Sequence, residues 1–143
     1  MRTTVVTLLI IVFAICSCNK YPDGPAISLL SKKERLSNTW KIEQYFENGV
    51  NKTADANNVF KDYTMSIDKS GSYLLTYKLF SILSVSESGT WTFVSNKENV
   101  LFSRTSPSPV TTTEWSILKL KEKELWGQYN DSSKVIKVQL IPY

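Results

Sequence analysis

The sequence predicts an all-β protein, an antiparallel up-and-down β-barrel of about eight short strands with a short N-terminal helix. Apolar and polar residues alternate through most of the chain after Leu36, which is the period of strands with one buried face. Short turns join these strands, and no segment between them is long enough to form the helix of a parallel crossover. An open sheet would expose two edge strands, so closure into a barrel is expected, and an open sandwich is the alternative.

The first element is predicted to be a helix of two or three turns at residues 27–36. Ile27, Leu30 and Leu36 fall roughly on one face of such a helix. Ser31 is followed three residues later by Glu34, which is the spacing of a capping box. The alternative is that the charged residues after Ser31 form only a surface turn.

The first strand is predicted at residues 40–47, where Trp40, Ile42 and Phe46 alternate with charged residues. Gln44 is the one polar residue on the apolar side of this alternation. An Asn-Gly pair then turns the chain. Residues 50–61 form the longest polar connection of the domain, and we expect them to be an exposed loop over one end of the barrel.

Hairpin signals continue to the end of the chain. Asp68 to Gly71 separates two alternating runs and gives the clearest hairpin. Residues 79–85 fit neither a clean strand nor a clean helix, so their structure is left open. The other strands are expected at residues 63–67, 73–77, 89–95, 100–104, 113–120, 125–129 and 135–141.

Composition excludes several classes of function. The 17 basic and 13 acidic residues are interleaved, which is typical of a solvated surface and not of a nucleic-acid-binding patch. The chain has no histidine, and its two cysteines, Cys16 and Cys18, both lie near the N-terminus. The usual zinc sites and the Ser-His and Cys-His nucleophile pairs are therefore not expected. We expect a monomeric, non-enzymatic domain with no metal and no cofactor.

The N-terminus has the layout of a secretory signal, with Arg2 followed by an apolar run at residues 5–15. This run is too short to cross a bilayer, which needs roughly 17 to 25 residues. Ile15, Cys16, Ser17 and Cys18 resemble the lipobox of bacterial lipoproteins. The resemblance implies a signal peptide at residues 1–17, a lipid on Cys18, a tether at 18–26 and a place in the outer membrane, on the periplasmic or the cell-surface face.

The run Leu36, Ser37, Asn38, Thr39 and Trp40 resembles the start of lipocalin-like domains, where a tryptophan plugs the closed end of the barrel. The long first loop, a glycine in the next hairpin and the Gly-Thr-Trp at residues 89–91 are similar to small lipocalin-like lipoproteins of diderm bacteria. The resemblance implies one lipocalin-like β-barrel domain at residues 27–143.

The aromatic residues of the predicted inner faces suggest a pocket for a small apolar or amphipathic ligand. Trp40, Gln44, Tyr73 and Trp91 are the candidate lining residues, and further aromatic candidates are Tyr63, Tyr77, Phe93, Trp115 and Trp126. The alternative is that these side chains fill the barrel. We expect a mostly filled interior, with at most a small pocket near residues 50–61.

A second function is compatible with the same barrel. A protein-interaction or inhibitor module would use the barrel as a rigid scaffold, and its loops at residues 50–61 or 105–109 would contact the partner.

Overall fold

The computed structural model describes residues 29–143, so the predicted signal peptide, the tether and the first residues of the predicted helix lie outside the described part. Its elements are α1 (Lys32–Leu36), β1 (Thr39–Glu47), β2 (Val50–Asn51), α2 (Thr53–Val59), β3 (Phe60–Ile67), β4 (Ser72–Leu79), β5 (Leu83–Val94), a 3₁₀ turn (Ser95–Lys97), β6 (Asn99–Ser106), β7 (Thr111–Leu120), β8 (Leu125–Asp131) and β9 (Lys134–Pro142). None of the helices in this range is long and apolar enough to cross a membrane.

The strands form a closed antiparallel barrel, which confirms the predicted fold class. From β3 to β9 each strand pairs with the next in the chain, and β1 pairs with both β3 and β9. The β1–β9 ladder runs from Trp40 opposite Pro142 to Glu47 opposite Ile136. β2 is a two-residue strand that pairs only with the end of β1. The barrel wall therefore has eight strands, and its long edges are paired with each other.

Helix α1 covers one end of the barrel, which we call the closed end. The predicted capping box is present: Glu34 N donates to Ser31 Oγ at 3.2 Å, and Ser31 N donates to Glu34 Oε2 at 2.9 Å. The helix is shorter than predicted, because it begins only at Lys32 and Leu30 is partly exposed. Trp40 is fully buried beneath the helix, where its Nε1 donates to Leu36 O at 2.9 Å.

The closed half of the barrel is filled with apolar side chains. Its most deeply buried members come from α1 and from strands on both sides of the barrel: Leu36, Trp40, Val100, Leu120, Leu125 and Leu140. Burial of this set accounts for the cohesion of a domain that has no disulfide among its described residues, because each buried aliphatic or aromatic side chain stabilises the fold by about 1.5–3 kcal/mol.

A β-bulge in β1 overturns the prediction for Gln44. Ile42 pairs with Leu140 and Gln44 with Gln139, so one extra residue is accommodated between these two pairs. The extra residue reverses the facing of the rest of the strand. Tyr45 therefore packs against the core, whereas Gln44 and Phe46 lie on the outer face, where Lys137 Nζ is 5.2 Å from the Phe46 ring.

Residues 50–61 are not the exposed loop that was predicted. They form β2, α2 and the start of β3, and Ala56 of α2 is buried. Tyr45 ties down the start of the helix, because its N–H donates to Thr53 Oγ1 at 3.0 Å and its carbonyl accepts from Lys52 N at 2.8 Å. β1 pairs with β3 only near Thr39 and Trp40, and α2 contacts both strands beyond that point. The helix thus covers the gap where β1 and β3 separate.

The undecided segment 79–85 is a hairpin tip. β4 ends at Leu79 and β5 begins at Leu83, with Phe80 and Ser81 at φ values of 48° and 63° in the turn. The tip lies at the end of the barrel opposite α1, which we call the open end. Its apolar side chains project into solvent, and Ile82 is 89% exposed.

Candidate ligand cavity

A cavity of about 310 Å³ lies in the open half of the barrel. We call it the barrel cavity. Fifteen residues line it: Ile42, Tyr45, Phe60, Tyr63, Met65, Tyr73, Leu75, Tyr77, Glu87, Phe102, Thr113, Trp115, Tyr129, Asp131 and Val138. Eight of them are aromatic, and they come from strands around the whole barrel. The interior is therefore filled at the closed end only, which corrects the expectation of a mostly filled barrel.

Aromatic packing fixes part of the cavity wall. Trp115 stacks on Tyr129 with ring centroids 5.0 Å apart and planes within 6°, and its other neighbour is Phe102 at 5.2 Å. Gly127 makes room for this arrangement, because a Cβ there would lie 2.6 Å from Trp115 Cε3. The Trp115 ring is thus held from several sides, and it presents a rigid apolar surface to the cavity.

Five of the chain's seven tyrosines line the barrel cavity. Tyr63 Oη lies 3.7 Å from Met65 Sδ. The hydroxyls of the other four, Tyr45, Tyr73, Tyr77 and Tyr129, make no hydrogen bond to any residue between 29 and 143, and none is sealed from solvent. A bound molecule could therefore donate to or accept from them.

Burial is the main cause that raises the pKa of each of these five tyrosines. Repulsion from a carboxylate adds to the rise: Glu87 raises the pKa of Tyr63, Tyr73 and Tyr77, and Asp131 raises the pKa of Tyr45 and Tyr129. The phenols therefore remain neutral hydrogen-bonding groups at neutral pH.

One ion pair stands at the edge of the cavity. Arg104 Nη1 lies 3.7 Å from Glu87 Oε1, and both side chains are about a quarter exposed, at 24% and 23%. Arg104 Nη2 also donates to Pro109 O at 3.2 Å, while its Nε is buried without a partner. Asp131 is exposed and forms no ion pair within the described range. Of these three charged groups, Glu87 and Asp131 line the cavity itself.

A second space of about 390 Å³ adjoins the first, between α2 and the barrel wall. We call it the side hollow. It shares Tyr45, Phe60 and Asp131 with the barrel cavity. Two exposed ion pairs stand around it: Lys134 Nζ to Glu47 Oε1 at 2.8 Å, and Lys52 Nζ to Asp55 Oδ2 at 3.1 Å. The side hollow thus extends the cavity toward solvent beneath α2.

Of the four residues predicted to line a pocket, Tyr73 lies in the wall of the barrel cavity. The other three do not. Trp40 and Trp91 belong to the closed half, where Trp91 Nε1 donates to Asp68 O at 2.9 Å, and Gln44 faces outward because of the bulge. Trp126, from the wider aromatic set, also faces outward, with Lys119 Nζ 4.1 Å from its ring.

Sequence reasoning missed six aromatic or charged residues of the wall, among others: Tyr45, Phe60, Glu87, Phe102, Tyr129 and Asp131. Glu87 lies opposite Leu75 in the β4–β5 ladder, so alternation along that hairpin could have placed it on the inner face. Tyr45 could not be found in this way, because the bulge breaks the alternation before it. Between residues 29 and 143, no three side chains of the metal-binding types come together.

Comparisons with known proteins bear on the fold alone. No protein-family model matches the chain, and no curated protein matches it. Among solved structures, a lipocalin-like protein from Bacteroides uniformis superposes with a TM-score of 0.55 and 11% identity, over 76% of this chain and 99% of that one. An uncharacterized protein from Bacteroides eggerthii superposes with a TM-score of 0.52 and 11% identity, over 75% and 98%. The chain therefore has the lipocalin-like fold, a closed antiparallel barrel of eight strands.

Proposed function

We propose that this protein is a lipid-anchored lipoprotein of the cell envelope whose barrel binds a small apolar or amphipathic ligand without catalysing a reaction. The observation that carries the proposal is the barrel cavity, whose volume is about 310 Å³. Pockets for small ligands begin at about 300 Å³ and combine apolar walls with a few polar groups. The lipocalin-like fold supports a binding role because it encloses such a space inside a rigid wall.

The distribution of side chains defines how a ligand would lie. Its apolar part would contact Trp115, Phe102 and Leu75, while a polar group would reach the hydroxyls of Tyr77 and Tyr129. Aromatic pairs contribute about 0.5–1.5 kcal/mol beyond the burial of their area, so an aromatic or unsaturated ligand would gain most from this wall.

Two neighbouring leucines of β4 provide a matched test. Leu75 lines the cavity, whereas Leu74 points away from it and is 44% exposed. Leu75→Trp should fill the cavity, and Leu74→Trp should leave it open. We expect the protein to bind the neutral fluorophore N-phenyl-1-naphthylamine with saturation at one molecule per chain. Leu75→Trp should lose this binding and Leu74→Trp should retain it.

The proposal is wrong if Leu75→Trp, with an unchanged circular dichroism spectrum, binds the fluorophore as well as the unsubstituted protein does. Native mass spectrometry of the protein purified from its own host gives an independent measurement. A retained small molecule that Leu75→Trp lacks would identify the natural ligand.

The lipid anchor rests on the resemblance of Ile15 to Cys18 to a lipobox. The described chain begins beside α1, at the closed end of the barrel. An anchor at Cys18 would therefore join the domain at that end, and the open end would remain available to ligand.

A second candidate function is a protein-interaction module, and the β4–β5 hairpin tip favours it. Phe80, Ile82 and Leu83 are 60%, 89% and 59% exposed, which is unusual for three apolar side chains within four residues. A photo-crosslinking residue at position 82 should capture one discrete protein in the host cell if the tip binds a partner. The same residue at position 123, in the turn at the closed end, should capture none. Equal labelling at both positions would exclude this function for the tip.

A further inference from the structure

The wall of the barrel cavity carries acidic side chains and no basic one. Glu87 on β5 and Asp131 on β8 both line it, and β6 and β7 lie between these strands in the eight-stranded wall. The lining contains no lysine and no arginine. A ligand that enters the open half therefore meets two carboxylates from separate parts of the wall.

The excess of carboxylates over basic side chains continues from the barrel cavity into the side hollow, toward solvent. Across the two spaces together, four carboxylates (Glu47, Asp55, Glu87 and Asp131) stand against two lysines (Lys52 and Lys134). Each lysine is already paired with a carboxylate of the hollow, and Asp131 has no ion-pair partner among the described residues. The whole chain carries a formal net charge of +4. The approach to the cavity is thus acidic on a molecule that is basic as a whole.

Among the described residues, Arg104 is the one cation paired with a carboxylate of the wall, and its charge partly offsets the rise in the pKa of the cavity tyrosines Tyr73 and Tyr77. Its Nη1 lies 3.7 Å from Glu87 Oε1, and its Nη2 donates to Pro109 O in the β6–β7 loop. The guanidinium therefore lies beside Glu87 at the edge of the cavity and is tied to the β6–β7 loop, so it neutralises part of the charge of Glu87. The Nη1–Oε1 distance exceeds that of a close charge-assisted hydrogen bond, so the pairing leaves Glu87 able to attract a second cation.

The aromatic side chains add to this electrostatic preference. Eight aromatic rings line the cavity, and the face of each ring carries a negative quadrupole that attracts cations. The five phenols stay neutral at pH 7, because burial and the nearby carboxylates raise their pKa values by more than Arg104 lowers those of Tyr73 and Tyr77 and Lys134 lowers that of Tyr45. They present oxygen acceptors without a competing ammonium group in the wall.

We propose that the barrel cavity selects a cationic amphipath, a molecule with an amine or quaternary ammonium head on a short apolar body. This inference rests on the proposed function and names its ligand class. The head group lies between Glu87 and Asp131 and over the tyrosine rings, and the apolar body contacts Trp115 and Phe102. An anionic head group in the same place meets two carboxylates and no lining cation.

Three probes with the same eight-carbon tail test the proposal: octyltrimethylammonium, octanol and octanoate. Each is titrated at pH 7 and low salt into the protein purified from its own host, with N-phenyl-1-naphthylamine bound, and displacement of the fluorophore is measured. We expect octyltrimethylammonium to bind about thirtyfold more tightly than octanol, which is the ratio that a desolvated cation–π contact of about 2 kcal/mol gives. Octanoate should bind most weakly of the three.

Variants that each remove one carboxylate test which residues cause the preference for a cationic head group. Asp131→Asn should lower the affinity for octyltrimethylammonium roughly threefold to tenfold and leave the affinity for octanol unchanged. Glu87→Gln should act in the same direction. The matched control is Glu122→Gln, which removes an exposed carboxylate in the turn between β7 and β8 at the closed end and should change neither affinity. Because Asp131 is exposed, its variant is expected to fold even if Glu87→Gln does not.

The possible results of these titrations distinguish the cationic preference from the proposed ligand-binding function. Equal affinities for octyltrimethylammonium and octanol, or tighter binding of octanoate, would overturn the cationic preference while the cavity remains a ligand site. A loss in Glu122→Gln as large as that in Asp131→Asn would show that the preference comes from net charge and not from the cavity wall. Failure of the fluorophore and all three probes to bind would instead overturn the proposed function.

Discussion

A tryptophan and a glycine show why one half of the barrel interior is filled and the other half holds the cavity. Trp40 is fully buried at the closed end and links β1 to α1 through its hydrogen bond to Leu36 O. Gly127 has no side chain, and Trp115 occupies the space where a Cβ would stand. The large residue therefore fills one half, while the small one lets a ring from the next strand shape the wall of the other half.

Trp40→Ala should remove both the apolar burial and the packing at the closed end. We expect a loss of about 3–5 kcal/mol in the free energy of unfolding, measured by urea denaturation, because buried aromatic residues lose this much on truncation to alanine. Trp126→Ala is the control, since Trp126 is only partly buried and lies on the outer surface. Equal losses in the two variants would show that Trp40 does not hold the closed end.

Helix α2 shows how one element completes the wall where the sheet does not. β1 and β3 pair only at their Trp40 end, and α2 contacts both strands where they separate. The attachment is local, because Thr53 Oγ1 accepts from Tyr45 N and Lys52 N donates to Tyr45 O. Tyr45 and Phe60 line both the barrel cavity and the side hollow. The position of α2 therefore also determines the shape of the opening through which a ligand would enter the cavity.

Thr53→Val should loosen α2 without changing the size of the side chain. The Tyr45 N–H would lose its acceptor, and a lost hydrogen bond of this kind costs about 1 kcal/mol. We expect faster amide hydrogen exchange at residues 53–59 and at Tyr45, with the β1–β9 ladder unaffected. Thr90→Val, at an exposed threonine of β5 with no side-chain hydrogen bond within the described part, is the control. Unchanged exchange in Thr53→Val would mean that packing alone holds the helix.

At the scale of the whole molecule, the charges are distributed so that stability should depend little on pH near neutrality. The chain has no histidine, and the ion pairs of the described residues join lysine or arginine to carboxylates, most of them at exposed positions. Hydrogen bonds and ion pairs lower the pKa of four carboxylates, those of Glu34, Asp62, Asp68 and Glu124. Burial raises the pKa of Tyr63 and Tyr129.

The melting temperature should therefore be nearly constant between about pH 6 and 8 and fall on both sides. A carboxyl group whose pKa is lowered by folding stabilises the fold above its ordinary pKa, near 4, and this stability is lost as the pH falls further. A tyrosine whose pKa is raised ionises first in the unfolded chain, so stability is lost as the pH rises above the ordinary value of 10.0. Scanning calorimetry across pH 3–11 measures both limbs. A midpoint near pH 6.5 would contradict the prediction.

The proposed anchor gives a further prediction at this scale. Cys18→Ala should remove the lipid and release the protein from membranes, or leave it unprocessed at its full length. Each buried CH₂ of an acyl chain contributes about 0.8 kcal/mol, so two or more chains hold a protein firmly and their loss is decisive. Cell fractionation with mass measurement of the chain distinguishes these results. A processed Cys18→Ala protein that still sediments with membranes would refute the lipobox reading.

The sequence by itself determined the fold class, the order of the strands, the capping box of α1 and the burial of Trp40. These features depend on local patterns, because alternation with period two and short turns specify strands and their connections wherever they lie. Closure was the expected arrangement, with an open sandwich as the alternative, because an open sheet leaves two exposed edges, and the β1–β9 ladder confirms it.

Only the tertiary structure decided the bulge before Gln44, the helix α2 and the barrel cavity. The bulge depends on where β1 meets β9, and α2 forms where two strands separate, although its sequence has no apolar stripe. The cavity depends on the closed barrel, because its lining residues come from all eight strands of the wall and lie far apart in the chain. Its acidic character has the same origin, since Glu87 and Asp131 are far apart in the chain and share a wall only because the barrel closes.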